Sequence, residues 1–285
     1  MDLKKIAQEI RETLEKRRQE LELTFIEDEH IYYMKDLDGE IKSNFPSVSK
    51  VIKKFYIPFD AESKAYDMTD GNESEAQQLL EKWKAAGDYS TNLGSRVHYV
   101  LESDLVQQYN NYKDVRQPIF ECDNSQIDKS NQMIYGGKQF LDLMHERGAV
   151  LLDTEIVLGD PEFGYTGQPD KVWIMFNKNK TGFGFVITDW KTNKEKNMEV
   201  NNFTKPMKKP FENLPNNALG HYNTQLPFYG KLLLKMLEGT KYGNIPLLGG
   251  VIIHLTENTE FKEYRIPRDV VDTILNMDMS EYLTK

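Results

Sequence analysis

One cysteine, Cys122, stands in a chain of 285 residues. That scarcity excludes an intramolecular disulfide and any cysteine-ligated zinc or iron–sulfur site within one chain. No apolar run is long enough to span a bilayer. Met1 to Leu23 is charged throughout and has no apolar centre, so neither a signal peptide nor an organellar presequence is expected. A reducing cytoplasm is the expected location, with no membrane partner. Three nucleotide and hydrolase signatures are missing as well. There is no Gly-x-x-x-x-Gly-Lys-[Ser/Thr], no Gly-x-Gly-x-x-Gly after a strand and no Gly-x-Ser-x-Gly elbow. ATP-driven and dinucleotide chemistry therefore lack a footing. Positive charge is also in short supply: the net charge is -9, whereas nucleic-acid binders are usually basic.

The charge that is present is unevenly spread. Between Lys171 and Lys209 there are nine lysines against Asp189, Glu195 and Glu199, a local balance of +6. The rest of the chain then carries −15. Such a segment is either a solvated lysine-rich hairpin or a rim that attracts phosphate.

Hydrophobic spacing sets out the elements. Leu3, Ile6, Ile10 and Leu14 make an amphipathic helix of residues 2 to 22. Thr24 to Tyr33 reads as a strand, Asp38-Gly39 as a hairpin turn and Glu40 to Phe45 as the return. A short helix is expected from Pro46-Ser47 to Phe55. Residues 60 to 90 read as polar helix broken at Asp70-Gly71-Asn72 and at Gly87-Asp88. A new helix follows from Leu93 to about Tyr109, capped by Thr91 or Asn92. Residues 110 to 130 read as irregular, and Met133 to Arg147 as a helix stopped at Gly148. Strands are expected over Ala149–Gly159, Tyr165–Phe176 and Gly184–Thr188. The helix Ala218–Leu237, the strand pair Gly250–Leu255 and Phe261–Ile266, and the helix Asp269–Met277 complete the order. This order fits an α/β class, a central sheet flanked by helices with a decorated N-terminal half. The divisions are residues 1–22, 23–90 and 91–285.

The most informative stretch is Gly167-Gln168-Pro169-Asp170, an apolar run, then Asp189-Trp190-Lys191. Side chains at i and i+2 of a strand share a face, so Asp189 and Lys191 point together and Trp190 points away. Two converging carboxylates suit a hard divalent cation. A lysine beside them can orient or deprotonate a water. Gly167-Gln168-Pro169 removes bulk beside Asp170, where a cation would sit.

Gly94, His98 and Glu102 recur every four residues on one helix face. His98 can supply an imidazole ligand while Glu102 holds a neighbour, or His98 can be an ordinary packed side chain. Gln225 and Tyr229 are also four apart, with His221 one turn earlier. They can bind a phosphate or fix Lys191; alternatively Tyr229 packs against the sheet and Gln225 is solvated. Pro227 between them predicts a kink or a helix that begins there. Glu155 either faces the same site, to bind a second cation or a water, or faces solvent.

In chain order, Gly94-x-x-x-His98-x-x-x-Glu102, Glu155, Gly167-x-Pro169-Asp170, Asp189-x-Lys191 and Gln225-x-x-x-Tyr229 resemble the PD-(D/E)XK nuclease superfamily. Within it they resemble the RecB-type exonuclease branch, which includes bacteriophage exonucleases and the mitochondrial genome maintenance exonuclease. The resemblance covers residues 90 to 265. Glu29-His30-Ile31-Tyr32 and Phe45-Pro46-Ser47-Val48-Ser49 also resemble the lead-in of phage members. The resemblance implies a restriction-endonuclease-like mixed sheet with a mostly helical N-terminal decoration. It implies metal ligation by His98, Asp170, Asp189 and the main-chain carbonyl of Trp190, with Lys191 positioning the water. Gln225 and Tyr229 would support that lysine and the DNA strand. Lys194, Lys196, Lys205, Lys208 and Lys209 would draw in the DNA backbone.

The expected cofactor is Mg2+ or Mn2+, one ion or two, without the iron–sulfur cluster of some branches. The expected activity is end-dependent hydrolysis of single-stranded DNA or DNA ends in replication, recombination or repair, with a protein partner in such a complex. Phage membership would place it in the host cytoplasm. A structure-specific endonuclease and a non-catalytic nucleic-acid-binding partner are the alternatives.

Overall fold

β-branched and aromatic residues alternating across two faces build the sheet at the centre of this chain. It is seen in a computed structural model that describes residues 2–26, 29–43, 45–108, 113–115, 117–201 and 204–283. An N-terminal helix, α1 (Leu3–Glu20), buries Leu3, Ala7, Ile10 and Leu14 on one stripe and is capped by the Asp2 side chain. Strands β1 (Thr24–Ile26), β2 (Ile31–Lys35) and β3 (Ile41–Ser43) follow as an antiparallel three-stranded sheet. The expected strand 24–33 is thus two strands, turned at Glu29-His30, where His30 takes a φ of 55°. Then come α2 (Val48–Ile52), α3 (Ala61–Met68), α4 (Glu73–Gln108) and α5 (Asn124–Glu146).

The main sheet uses β4 (Val150–Thr154), β7 (Lys171–Phe176), β8 (Phe183–Lys191), β9 (Leu247–Leu255) and β10 (Phe261–Arg265). Their order is β10-β9-β8-β7-β4. Only β8 and β9 run parallel, joined by the crossover helix α6 (Ala218–Leu237), so the sheet is mixed. Between β4 and β7 a small hairpin forms from β5 (Leu158–Asp160) and β6 (Tyr165–Gly167). Helix α7 (Arg268–Asn276) is the last α-helix of the described residues.

Each face of the sheet carries its own apolar layer. Val172, Ile174, Phe185, Ile187 and Ile252 pack with α1, α6 and α7. Trp173, Val186, Trp190, Ile253 and Leu255 pack with Leu101 of α4 and Phe140 of α5. Strands buried on both sides read as continuous apolar runs, as β8 and β9 do. Among the described residues no helix is long and apolar enough to cross a membrane.

Several boundaries differ from expectation, each for a physical reason. The break at Gly87-Asp88 is absent, and α4 runs through it and through Thr91, Asn92 and position 90. One interior glycine costs a helix only about 1 kcal/mol, less than the turns on either side supply. Its cap is Asn72, whose Oδ1 accepts from the Ser74 and Glu75 amides at 3.1 and 3.2 Å. The expected end near Tyr109 lies outside the described residues. Helix α5 starts nine residues before Met133, because Asp123 and Gln126 form a reciprocal capping box. The expected strands 149–159 and 165–176 are each broken, the first at Glu155 and the second at Gln168-Pro169-Asp170. Helix α6 neither ends nor begins at Pro227, which lies buried inside it.

Candidate metal centre

The antiparallel register pairs Lys171 with Thr188. One step further, Asp170 lies opposite Asp189 where β7 begins and β8 ends. The Asp170 Oδ2 atom accepts a 2.9 Å hydrogen bond from the Trp190 amide. The same oxygen lies 3.3 Å from His98 Nδ1 and 3.5 Å from Lys171 Nζ. His98 reaches over from α4, and its Nε2 is 3.2 Å from the Trp190 main-chain oxygen.

That last contact fixes one proton of the ring. A carbonyl only accepts, so Nε2 carries the proton and donates. Burial, opposed by the charge of Asp170, lowers the pKa of His98 and favours the neutral imidazole. Nδ1 then presents a lone pair to the Asp170 carboxylate. Two acceptors facing each other at 3.3 Å repel unless a cation or proton lies between them.

Glu155 completes the cluster. It has a φ of 42°, its amide donates to the Asp170 carbonyl at 3.0 Å, and it turns the chain off β4. A non-glycine residue in that region costs about 1–3 kcal/mol, a strain that tends to collect at functional sites. Ligand atoms of His98, Glu155 and Asp170 all lie within 4.8 Å of one another. Burial pushes the Glu155 carboxyl well up, and the charges of Asp170 and Glu102 add to it. For Asp170, burial works upward too, but the charge His98 carries in acid, together with Lys171, holds it well below the usual carboxylate range.

Asp189 and Lys191 do share a face and form an ion pair. Burial and the neighbouring Asp170 raise Asp189 to about 7. Burial opposes the charge on Lys191, but Asp189 and Asp170 outweigh it and keep the ammonium protonated. Lys191 Nζ also stands 4.3 Å over the ring of Tyr222 on α6. The Trp190 ring points to the opposite face, edge-on to Phe140. The Trp190 carbonyl, expected as a metal ligand, lies 3.2 Å from His98 Nε2.

On α6, Gln225 Nε2 donates to Tyr229 Oη at 2.9 Å and to Ser49 Oγ at 3.3 Å. Burial, with the charges of Asp189 and Asp170, pushes the Tyr229 hydroxyl well up in pKa and keeps it neutral. Tyr229 packs, and its hydroxyl lies near Asp189 and Asp170. Gly167 serves that packing rather than clearing space for a cation. A Cβ there would come within 2.8 Å of Val48 and 2.9 Å of the Tyr229 ring. His221 lies apart, stacked on Tyr56 with ring centroids 3.4 Å apart. Glu102 supports Thr154 and Lys113 rather than His98, accepting from Thr154 Oγ1 at 2.8 Å.

A cleft of about 550 Å³ opens beside the cluster, with His98, Glu102, Glu155 and Gln168 in its wall. Lys194, Lys196, Lys205, Lys208 and Lys209 are exposed, and none lines this cleft. Its lysine is Lys113. Sequence spacing missed Lys113, for it lies eleven residues beyond Glu102, the nearest motif residue. It also missed Lys171, which is 2% exposed, 3.5 Å from Asp170 and 4.2 Å over the Trp190 ring. The signal for Lys171 was in plain view, a charged residue opening an apolar strand directly after Asp170.

The donors fit a hard divalent cation of the Mg2+ or Mn2+ type: two carboxylates and one imidazole, partly buried, with an imidazole nitrogen facing a carboxylate. No family model matches the chain, and no curated protein matches it either.

Proposed function

We propose that this chain is a divalent-metal-dependent deoxyribonuclease of the exonuclease type, with a restriction-endonuclease-like core. The observation that supports it best is the His98–Asp170 juxtaposition, an imidazole nitrogen 3.3 Å from a carboxylate oxygen beside Glu155 and the Asp189–Lys191 pair. The residues that would hold Mg2+ or Mn2+ are His98, Glu155 and Asp170, with Asp189 next to them. A metal held there supplies a polarised phosphoryl oxygen and an acidified water.

The protein's own groups do the rest. Lys191 is a charged donor and not a base, so its part is to orient the attacking water and offset charge developing on the phosphate. Asp189 fixes the lysine head and, near neutrality, is poised to exchange a proton with that water. Tyr229, neutral and steadied by Gln225, offers a hydroxyl to a phosphate oxygen. The low exposure of both aspartate side chains keeps these charge effects strong. Lys194, Lys196, Lys205, Lys208 and Lys209 stand outside the cleft, and the proposal gives them DNA at longer range.

The test is a time course on end-labelled single- and double-stranded DNA with Mn2+ and with Mg2+, repeated on closed-circular single strands. Asp189→Ala and Lys191→Ala should both be inactive. Activity retained in either variant removes the mechanism. Equal rates on linear and closed-circular strands would assign an endonuclease instead.

A further inference from the structure

We propose that the cleft beside the metal cluster is a stacking wall for unpaired bases, built from Phe25, His30 and Tyr99. This deepens the nuclease reading and rests on it for the identity of the strand. Phe25 and His30 come from the β1–β2 hairpin and Tyr99 from α4, one residue after His98; all three line the cleft. The wall is braced from behind. The Phe25 ring lies 4.3 Å from that of Tyr32 at an interplanar angle of 26°, and 5.2 Å from His30 at 80°. Tyr99 leans on Phe120 at 6.3 Å. Braced rings lose little freedom when a flat ligand lies against them.

The charge of the cleft says which part of a nucleic acid it would accept. Apart from Glu155 of the metal cluster, its wall holds two carboxylates, Glu102 and Asp114, against one ammonium, Lys113. That balance repels a phosphate backbone laid along the wall, apart from the one phosphate drawn to the metal cluster. A base has no charge and has a face for every ring, so aromatic walls bind it with little regard to sequence. In a duplex those faces are already covered by their neighbours. The occupant is therefore a single strand, with its scissile phosphate at His98, Asp170 and Glu155 and its bases against Phe25, His30 and Tyr99. Polar Ser95 and Gln168 line the same cleft.

The experiment uses the full chain in Ca2+ and follows fluorescence anisotropy of a labelled oligothymidylate of about 12 nucleotides, within usual site sizes. Its partner is an abasic oligomer with the same number of phosphates. The thymidylate should bind about 5- to 150-fold more tightly for each base stacked. Phe25→Ala and Tyr99→Ala should shrink that gap and leave abasic affinity unchanged. Phe25→Leu, which retains an apolar side chain against Tyr32, should do the same if the hairpin is intact by thermal melting. Equal affinities for the two oligomers, or variants that weaken both alike, overturn the wall. The two proposals fail separately. Cleavage in Mn2+ without base-dependent binding sinks the wall and leaves the nuclease. Base-dependent binding with no cleavage sinks the nuclease and leaves the wall.

Discussion

Lys171→Met offers the sharpest test of the electrostatics. Lys171 is a buried ammonium held 3.5 Å from Asp170 and 4.2 Å over the Trp190 ring. Burial pulls its pKa down, while the carboxylates of Asp170 and Asp189 and the Trp190 ring beneath it favour the charged form. At an effective dielectric of about 20, unit charges at that distance attract by about 5 kcal/mol. Breaking a buried pair by removing one partner typically costs about 3–5 kcal/mol, because the other charge stays buried. Methionine fills a similar unbranched volume, so lost packing adds little. The metal-free variant should therefore melt about 5–10 °C lower, on the usual relation between free energy and midpoint for a chain of this size. Metal binding should move the opposite way. With one positive charge gone, the cluster of His98, Glu155 and Asp170 should bind Mn2+ about tenfold more tightly or better, a gain of about 1.4 kcal/mol. Calorimetry and thermal melting read the two effects on one sample. An unchanged melting point, or weaker Mn2+ binding, would refute the assignment of Lys171 as the resident counter-charge.

Three other expectations follow from the geometry. His98→Ala should lower Mn2+ affinity at least about tenfold by calorimetry and cut DNA hydrolysis about 10²–10⁴-fold, a loss in the range of a misplaced catalytic group; unchanged binding would exclude His98 as a ligand. Gly167→Ala should cost about 1–3 kcal/mol in denaturant unfolding, since its Cβ collides with Val48 and the Tyr229 ring, and wild-type stability would contradict that packing. His221 has a pKa lowered by burial to about 4, against about 6.5 in an unfolded chain. Between those values the unfolded chain binds more protons, so this contribution is full above about 6.5 and is lost as pH falls toward 4. An NMR titration of the imidazole giving a midpoint near 6.5 would refute it.

What could be read from the chain divides along physical lines. The two-residue alternation of Asp189, Trp190 and Lys191 is a local property of a strand, and it placed the ion pair on one face and the indole on the other. The four-residue spacing of Gln225 and Tyr229 likewise survived as a direct hydrogen bond. Features that depend on a competition were less legible. Gly87 looked like a break because propensity counts one residue, whereas the helix draws support from packing at both ends. The Asp123–Gln126 box was a written signal that the irregular composition around it obscured. Lys113 and Lys171 act through tertiary neighbours, Glu102 and Asp153 for one and Asp170 for the other, and no periodicity announces such pairs. The exposed lysines show the converse, for a run of charge in sequence did not become the wall of the cleft.

The pairing of Lys171 with Thr188 has one more consequence. Side chains on a strand have parity, and a slip by one residue exchanges the two faces. In a slipped sheet, Trp190 would leave the layer it shares with Phe140, while Asp189 and Lys191 would be driven into that layer. The aromatic packing and the charged pair are thus encoded by the same odd–even count. A molecule that misaligns its site also forfeits its core and does not persist long enough to be a faulty copy. Folding acts here as proofreading: any chain stable enough to be found has already set its carboxylates opposite one another.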